Sequence, residues 1–214
     1  MRERIAALDP ERVRRNLEQV CERIASVGRD PAEVEVCVAI KYVATEALPA
    51  LAEAGVALVG ENRAQELMER QAAHGELFTW DFIGALQSRK VRDVAPAVRL
   101  IHSLASDSAL SQLERHPARE VLVQVNVARE DGKVGVDPDE LGAFISRSPV
   151  PVSGLMTMPP LAERAEQSRP HFARLAELAA EHGLARLSMG TTQDYDVAAA
   201  EGATIVRIGS ALFA

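Results

Sequence analysis

Short segments rich in β-branched residues alternate with longer segments rich in Ala, Leu and Glu from residue 34 to the C-terminus of this 214-residue chain. The longer segments have helical periodicity, whereas the short ones are typical of buried strands. The alternation predicts eight strands, over residues 34–40, 56–59, 79–83, 99–102, 120–126, 152–155, 185–188 and 204–208. It predicts seven intervening helices, over residues 45–54, 62–74, 87–95, 107–116, 138–146, 170–182 and 193–201.

This pattern favours an α/β fold with a closed parallel barrel, because parallel strands need crossover connections and eight strands close without an exposed edge. We therefore expect residues 1–214 to form a single-domain (β/α)₈ barrel. Periodic apolar residues between Val13 and Ile24 predict an additional N-terminal helix. We expect it to lie where an eighth helix would, since only six residues follow Ile208. An open doubly wound sheet is the alternative.

Composition and charge exclude several classes of partner. The formal net charge is −7 and the basic residues are scattered, which argues against a nucleic-acid partner. No apolar run approaches the roughly 18 residues of a membrane span. Cys21 and Cys37 lack metal-ligand spacing, and the five histidines, most of which fall in helical patterns, show none either. We expect a cytoplasmic monomer.

In either architecture, ligands bind at the C-terminal ends of the strands. Lys41 ends the first predicted strand, on the face that carries the small residues Cys37 and Ala39. That face is predicted to point inward, so the amine would lie at the mouth of the barrel. Lysine is the residue type that forms Schiff bases with carbonyl compounds. A solvated lysine at a strand end is the alternative.

Two neighbouring loops predict a phosphate site, because the loops after strands seven and eight bind phosphate in many barrels. Thr191 and Thr192 supply two hydroxyl groups after Gly190, and Gly209 and Ser210 follow the last strand. The alternatives are structural: Thr192 could cap the following helix, and Ser210 could begin a C-terminal turn.

Arg207 shares a strand face with Ile205 and Gly209, so its guanidinium group is predicted to point into the barrel. Burying this charge unpaired is costly, so it needs a ligand atom or a carboxylate. The alternative to a ligand is an ion pair with Glu61 or Asp81. We interpret Lys133, which lies in a glycine-flanked loop, as a solvated side chain.

The segments VGENRAQE, WDFIGALQSRK, EDGKVG, GLMTM, LSMGTTQD and VRIGSALF follow the strand-one lysine in this order. Together they resemble the pyridoxal phosphate homeostasis protein family. The resemblance implies an alanine-racemase-like barrel (fold type III of pyridoxal phosphate proteins), with pyridoxal 5′-phosphate held on Lys41 as a Schiff base. It also implies that Asn62 lies beside the cofactor ring, that Arg207 faces the ring nitrogen, and that Thr192 with the backbone of Gly209 and Ser210 binds the phosphate.

The chain departs from the family pattern at three places. Asp81 stands where the family usually has histidine, and Arg89 where it usually has asparagine. The phosphate loop reads GTT instead of the commoner GMS, but Thr192 keeps a hydroxyl group there, so phosphate binding is still expected. Asp81 places in doubt any role of an imidazole at that position.

The resemblance implies a carrier that holds pyridoxal phosphate for homeostasis and supplies apo-enzymes by transient contact, rather than an enzyme. A single-domain amino-acid racemase or related lyase is the alternative. Enzymes of the alanine racemase type bring a tyrosine base from a second domain, for which the residues after the last strand leave no room. Arginine at the ring nitrogen also disfavours a protonated ring as electron sink. A third possibility is a cofactor-free Schiff-base aldolase acting on a sugar phosphate.

Overall fold

The computed structural model describes residues 4–214, in which eight parallel strands form a closed barrel in sequence order. The strands are β1 (Glu35–Ala39), β2 (Leu58–Glu61), β3 (Thr79–Phe82), β4 (Leu100–Leu104), β5 (Val121–Gln124), β6 (Val152–Met156), β7 (Arg186–Thr191) and β8 (Ile205–Ile208). The barrel closes where β8 pairs with β1, with Glu35 beside Ile205 and Val38 beside Ile208. The predicted barrel is thus confirmed, and the open sheet is wrong.

The helices are α1 (Pro10–Ser26), α2 (Leu48–Glu53), α3 (Ala64–His74), α4 (Val91–Val94), α5 (Asp107–Leu113), α6 (Leu141–Ser146), α7 (Arg169–Glu181), α8 (Tyr195–Ala200) and α9 (Ser210–Phe213). Several are shorter than predicted because single-turn 3₁₀ segments replace their ends, at Thr45–Ala47, Ser88–Lys90, Ala95–Ala97 and Pro138–Glu140. A proline explains one of these ends, because Pro96 lacks the N–H that would continue α4. Helix α5 ends at Leu113, ahead of Pro117, which disfavours helical backbone in the residue before it. None of the described helices is long and apolar enough to cross a membrane.

Helix α1 covers the seam where the barrel closes. Asp9 caps its first turn by accepting a hydrogen bond from the backbone of Glu11 at 3.0 Å. The helix packs against α2, α8 and α9 and buries Val13, Val20 and Ile24. Asn16 Nδ2 also donates to the carbonyl of Leu212 in α9, at 3.1 Å. The N-terminal helix therefore takes the place of an eighth outer helix, as expected.

The barrel interior has its own apolar layer, separate from the larger core between strands and helices. Five strands contribute to it, through Cys37, Leu100, Leu122, Met156 and Ile205. At the N-terminal ends of the strands, the Arg99 guanidinium lies 2.7 Å from Glu35 and 2.7 Å from Asp81. Ion pairs thus close one end of the barrel, and the open end carries the polar cavity described next.

Candidate functional site

A cavity of about 870 Å³ lies at the C-terminal ends of the strands, within the size range of small-molecule sites. Its lining includes all seven predicted site residues: Lys41, Asn62, Thr191, Thr192, Arg207, Gly209 and Ser210. These residues come from the ends of β1, β2, β7 and β8, which the closure of the barrel makes neighbours. Lys133 does not line this cavity and lies in a loop beside Glu130.

A tight turn after β1 carries Lys41. The N–H of Val43 donates to the carbonyl of Ile40 at 2.9 Å and closes the turn. The Lys41 side chain is exposed, with Nζ 4.9 Å from the centre of the Tyr42 ring. Within residues 4–214, no carboxylate lies within 4.0 Å of this amine. The amine is therefore accessible from the cavity, and no acidic side chain of the described residues holds it in an ion pair.

The buried ion pair of Arg70 and Glu61 supports this turn. Arg70 Nη1 donates to the carbonyl of Ile40 at 2.9 Å, and Nη2 donates to that of Val43 at 2.6 Å. Nη1 also donates to Glu61, whose other oxygen accepts the backbone N–H of Asn62 at 2.6 Å. Burial raises the pKa of Glu61, although Arg70 and the backbone N–H groups oppose the rise. One ion pair thus fixes the lysine turn and the backbone of Asn62.

Asn62 has a buried side-chain oxygen, Oδ1, without a hydrogen-bond partner among the described residues. Buried amide oxygens are normally hydrogen-bonded, so this atom fits a ligand that brings a donor. Its backbone lies against Gly84, where an added Cβ would come within 2.0 Å of the Asn62 carbonyl oxygen. Glycine at position 84 therefore allows the end of β2 to reach the cavity wall.

The two predicted phosphate loops meet at Thr192. Its Oγ1 lies 3.4 Å from the N–H of Gly209, which joins the loop after β7 to the loop after β8. Thr191 differs, because its N–H and its hydroxyl donate to Asp194 Oδ1 at 2.7 and 3.1 Å. Of the two predicted hydroxyl donors, Thr191 is therefore already engaged. Helix α8 begins at Tyr195, directly after Asp194, so Thr192 does not cap it.

Arg207 lies on the cavity wall as a buried cation with 6% exposure. Its Nη1 donates to the hydroxyl of Ser188, and its Nη2 donates to the carbonyl of Thr157 at 2.9 Å. Nη2 also lies 3.0 Å from the sulfur of Met158. Burial lowers the pKa of Arg207 to about 10, so the group remains protonated at neutral pH.

The alternative of an ion pair between Arg207 and Glu61 or Asp81 is wrong. Glu61 pairs with Arg70, whereas Asp81 pairs with Arg99 and His102. Within residues 4–214, no carboxylate comes within 4.0 Å of the Arg207 guanidinium. Its charge is therefore available to a ligand in the cavity.

Comparison with known proteins agrees with this geometry. Residues 8–214 match the family described as alanine racemase, N-terminal domain. The pyridoxal phosphate homeostasis protein of Aquifex aeolicus is 38% identical, over 95% of this chain and 96% of the relative. The chain belongs to the pyridoxal phosphate homeostasis protein family. Another member of this family, from Pseudomonas aeruginosa, is 39% identical over 92% of this chain and 93% of the relative.

Solved structures related to the family share the barrel. PipY of Synechococcus elongatus, solved with PLP bound, has a TM-score of 0.76 and 32% identity over 91% of this chain and 100% of that one. Alanine racemase from Bartonella henselae has a TM-score of 0.73 over 99% of this chain and 61% of its own. At 17% identity, this second likeness shows the fold alone.

Asp81 is buried inside the barrel and does not line the cavity. Burial alone would raise the pKa of this carboxyl, but hydrogen bonds from His102 and Arg99 hold it below its usual range. The negative charge of Asp81 is therefore paired with residues that do not line the cavity. The described residues contain no group of three or more His, Cys, Asp or Glu side chains that could hold a metal ion.

Sequence reasoning missed the residues that support the site. Arg70 lies among other charged residues of a helical pattern, and nothing in that pattern distinguishes a buried arginine. His102 fell at the end of a strand pattern, but the strand continues to Leu104 and buries it. The alternation of strand faces, which placed Arg207, also places Ser188 and His102 on inward faces. A small hydroxyl and an imidazole on such faces were the available signal.

Proposed function

We propose that this chain binds pyridoxal 5′-phosphate in the cavity and acts in its homeostasis as a reversible carrier. The observation that carries the proposal is the meeting of three groups in one cavity: the amine of Lys41, the buried cation of Arg207, which has no ion-pair partner within residues 4–214, and the joined loops at Thr192 and Gly209. A related protein, PipY, has been solved with PLP bound.

The residues fit the aldehyde, the phosphate and the ring nitrogen of this cofactor. When bound, pyridoxal phosphate supplies an aldehyde that reacts reversibly with a primary amine. Lys41 provides the amine. Thr192 and the N–H groups of Gly209 and Ser210 would hold the phosphate, since charge-assisted hydrogen bonds from such donors favour anions. Arg207 would donate to the ring nitrogen, and Asn62 would lie beside the ring.

Arg207 and Lys41 favour reversible binding of the cofactor over catalytic turnover of a substrate. Arg207 is a protonated donor, so it opposes a proton on the ring nitrogen and weakens the ring as an electron sink for catalysis at an amino-acid α-carbon. Lys41 is exposed at the cavity, so an incoming amine can reach the same position. We propose that apo-enzymes receive the cofactor by transient contact with a monomeric carrier. The free thiols of Cys21 and Cys37 support a place in the reducing cytoplasm.

Titration with pyridoxal phosphate, followed by visible absorption, tests the binding. The wild-type protein is expected to turn yellow and keep the colour through desalting, whereas Lys41→Ala loses it. Lys133→Ala is the matched control, since this lysine does not line the cavity, and it is expected to behave as the wild type. A colourless wild-type protein that cleaves sugar phosphates would contradict the proposal in favour of an aldolase.

Transfer and turnover distinguish a carrier from an enzyme. Loaded protein is mixed with an apo-transaminase, and transaminase activity is expected to recover. In parallel, loaded protein is incubated with each L-amino acid, and chirality and keto-acid formation are followed. Turnover well above that of free pyridoxal phosphate, abolished by Lys41→Ala, would establish an enzyme instead.

A further inference from the structure

A chain of buried hydrogen bonds reaches Arg207 from inside the barrel. Asp81 Oδ2 lies 3.0 Å from His102 Nε2, and His102 Nδ1 lies 2.8 Å from Ser188 Oγ. The same hydroxyl oxygen accepts a hydrogen bond from Arg207 Nη1. Asp81, His102 and Ser188 are completely buried, so water does not compete for these contacts.

The number of hydrogens that each group can donate determines where every proton lies in this series of hydrogen bonds. An ionised Asp81 only accepts, so Nε2 of His102 carries the hydrogen. Nδ1 of the neutral ring is then an acceptor and takes the single hydrogen of the Ser188 hydroxyl, whose lone pairs remain for Arg207. Burial lowers the pKa of His102, although Asp81 opposes the change, which agrees with a neutral ring. Arg99 helps to keep Asp81 ionised, with Nη2 2.7 Å from Oδ2 and Nε 3.0 Å from Oδ1.

This arrangement holds a cation without neutralising it. Ser188 anchors Nη1, and the carbonyl of Thr157 anchors Nη2, so two acceptors define the plane of the Arg207 guanidinium. Both acceptors are neutral, and the nearest part of the network that carries a negative charge, Asp81, is separated from Arg207 by two side chains. A carboxylate in direct contact would take the hydrogen-bonding capacity and the charge that a ligand needs.

We propose that Ser188 and His102, anchored by Asp81, are positioning residues for Arg207. They fix the rotation of its guanidinium plane so that a remaining N–H points at the ring nitrogen of the cofactor. The inference rests on the proposed function, because it takes the cofactor ring as the ligand.

Ser188→Ala tests the shared acceptor by removing a single oxygen atom. Ser153→Ala on β6 is the matched control, since the Ser153 hydroxyl oxygen is buried and has no hydrogen-bond partner among the described residues. In the protein without cofactor, NMR measures solvent exchange of the Arg207 guanidinium protons. This exchange is expected to be roughly ten- to hundredfold faster in Ser188→Ala, the range for losing a hydrogen bond to a charged group. Ser153→Ala is expected to leave it unchanged.

In the loaded protein, pyridoxal phosphate labelled with ¹⁵N at the ring reports the contact directly. The ring ¹⁵N resonance and the visible band are expected to shift in Ser188→Ala but not in Ser153→Ala. His102→Phe keeps a ring and removes both nitrogens, so it is expected to shift them in the same direction. The double variant is expected to add little to Ser188→Ala, because the two residues act through one contact.

The exchange measurement and the ¹⁵N measurement can each contradict a different part of the proposal. Unchanged exchange of the Arg207 protons in Ser188→Ala would overturn the positioning role, whatever the ligand. Faster exchange with an unchanged ring ¹⁵N resonance would overturn the claim that the orientation serves the cofactor. If wild-type protein takes up no pyridoxal phosphate while the exchange responds as expected, the proposed function fails and this claim about the ring fails with it, but the positioning of Arg207 stands.

Discussion

Thr191 and Thr192 have identical side chains and adjacent positions, yet their hydroxyl groups have different partners. The hydroxyl of Thr191 donates to Asp194 at 3.1 Å, whereas Oγ1 of Thr192 lies beside the N–H of Gly209. Both residues line the cavity. The structure thus provides a matched pair for testing the phosphate site.

Thr192→Val is expected to weaken binding of pyridoxal phosphate about tenfold or more, because a charge-assisted hydrogen bond contributes roughly 1.5 to 3 kcal/mol. Binding of unphosphorylated pyridoxal is expected to change little. Spectroscopic titration with both ligands measures the difference. Thr191→Val is expected to lower the free energy of unfolding, because it loses the hydrogen bond to Asp194. It is expected to change the affinities for pyridoxal phosphate and pyridoxal to the same extent. An equal loss for both ligands in Thr192→Val would show that the residue acts on the fold.

His102 gives the protein a pH dependence in mild acid. Burial lowers the pKa of His102 in the folded state, so the unfolded chain binds a proton first as the pH falls below about 6.5. The free energy of unfolding is therefore expected to fall from about pH 7 towards pH 5, by up to about 1.4 kcal/mol per pH unit for one proton.

Urea unfolding at a series of pH values measures this slope. His102→Phe is expected to flatten it in this window, even though the variant is less stable at pH 7. His182→Gln changes an exposed histidine outside the network and is the control variant. A slope in His102→Phe equal to that of the wild type would contradict a neutral, buried imidazole.

At the scale of elements, helix α3 holds the turn at the end of β1. Arg70 reaches from this helix to the carbonyls of Ile40 and Val43, on either side of Lys41. Its ion pair with Glu61 is completely buried, and removing one partner of such a pair leaves an uncompensated charge. The position of Lys41 therefore depends on a helix that does not line the cavity.

Arg70→Met is expected to lower the free energy of unfolding by about 3 to 5 kcal/mol, the usual cost of breaking a buried ion pair from one side. Chemical denaturation measures the loss. Adding Glu61→Gln is expected to restore part of it, since an amide oxygen still accepts the N–H of Asn62 without a buried charge. Arg63→Met removes the ion pair of an exposed arginine with the buried Glu66, which keeps its pairs with Arg4 and Arg70, and is expected to cost less than about 1 kcal/mol. Equal losses for Arg70→Met and Arg63→Met would contradict the supporting role.

The elements that could be predicted from the sequence are those with a strong pattern. The eight strands lie where the β-branched segments lie, because burial on both faces requires continuous apolar runs. Helix ends were predicted less well, since a local contact decides them. The side chain of Asp194, for example, bonds back to Thr191 and delays the start of α8 to Tyr195.

For the whole molecule, closure of the barrel assembles the site from distant parts of the chain. Lys41 lies in the same cavity as Thr191, Thr192, Gly209 and Ser210 only because β8 pairs with β1. Because each of these residues follows the end of a strand, the sequence predicted that they would lie at the same end of the barrel. Strand alternation places Ser188 and His102 on inward faces, but their hydrogen bonds, and those of Arg70, could not be predicted, because they depend on which buried polar groups lie next to each other in three dimensions.

Lys41 is the residue that we propose holds the cofactor. The chain has only three lysines, Lys41, Lys90 and Lys133, so the attachment site can be mapped without ambiguity. Borohydride makes a bond between the cofactor and a lysine permanent, and peptide mapping then locates it. Treatment of the loaded protein is expected to place the label on Lys41. A label on Lys90 or Lys133, with Lys41 unmodified, would show that Lys41 does not hold the cofactor.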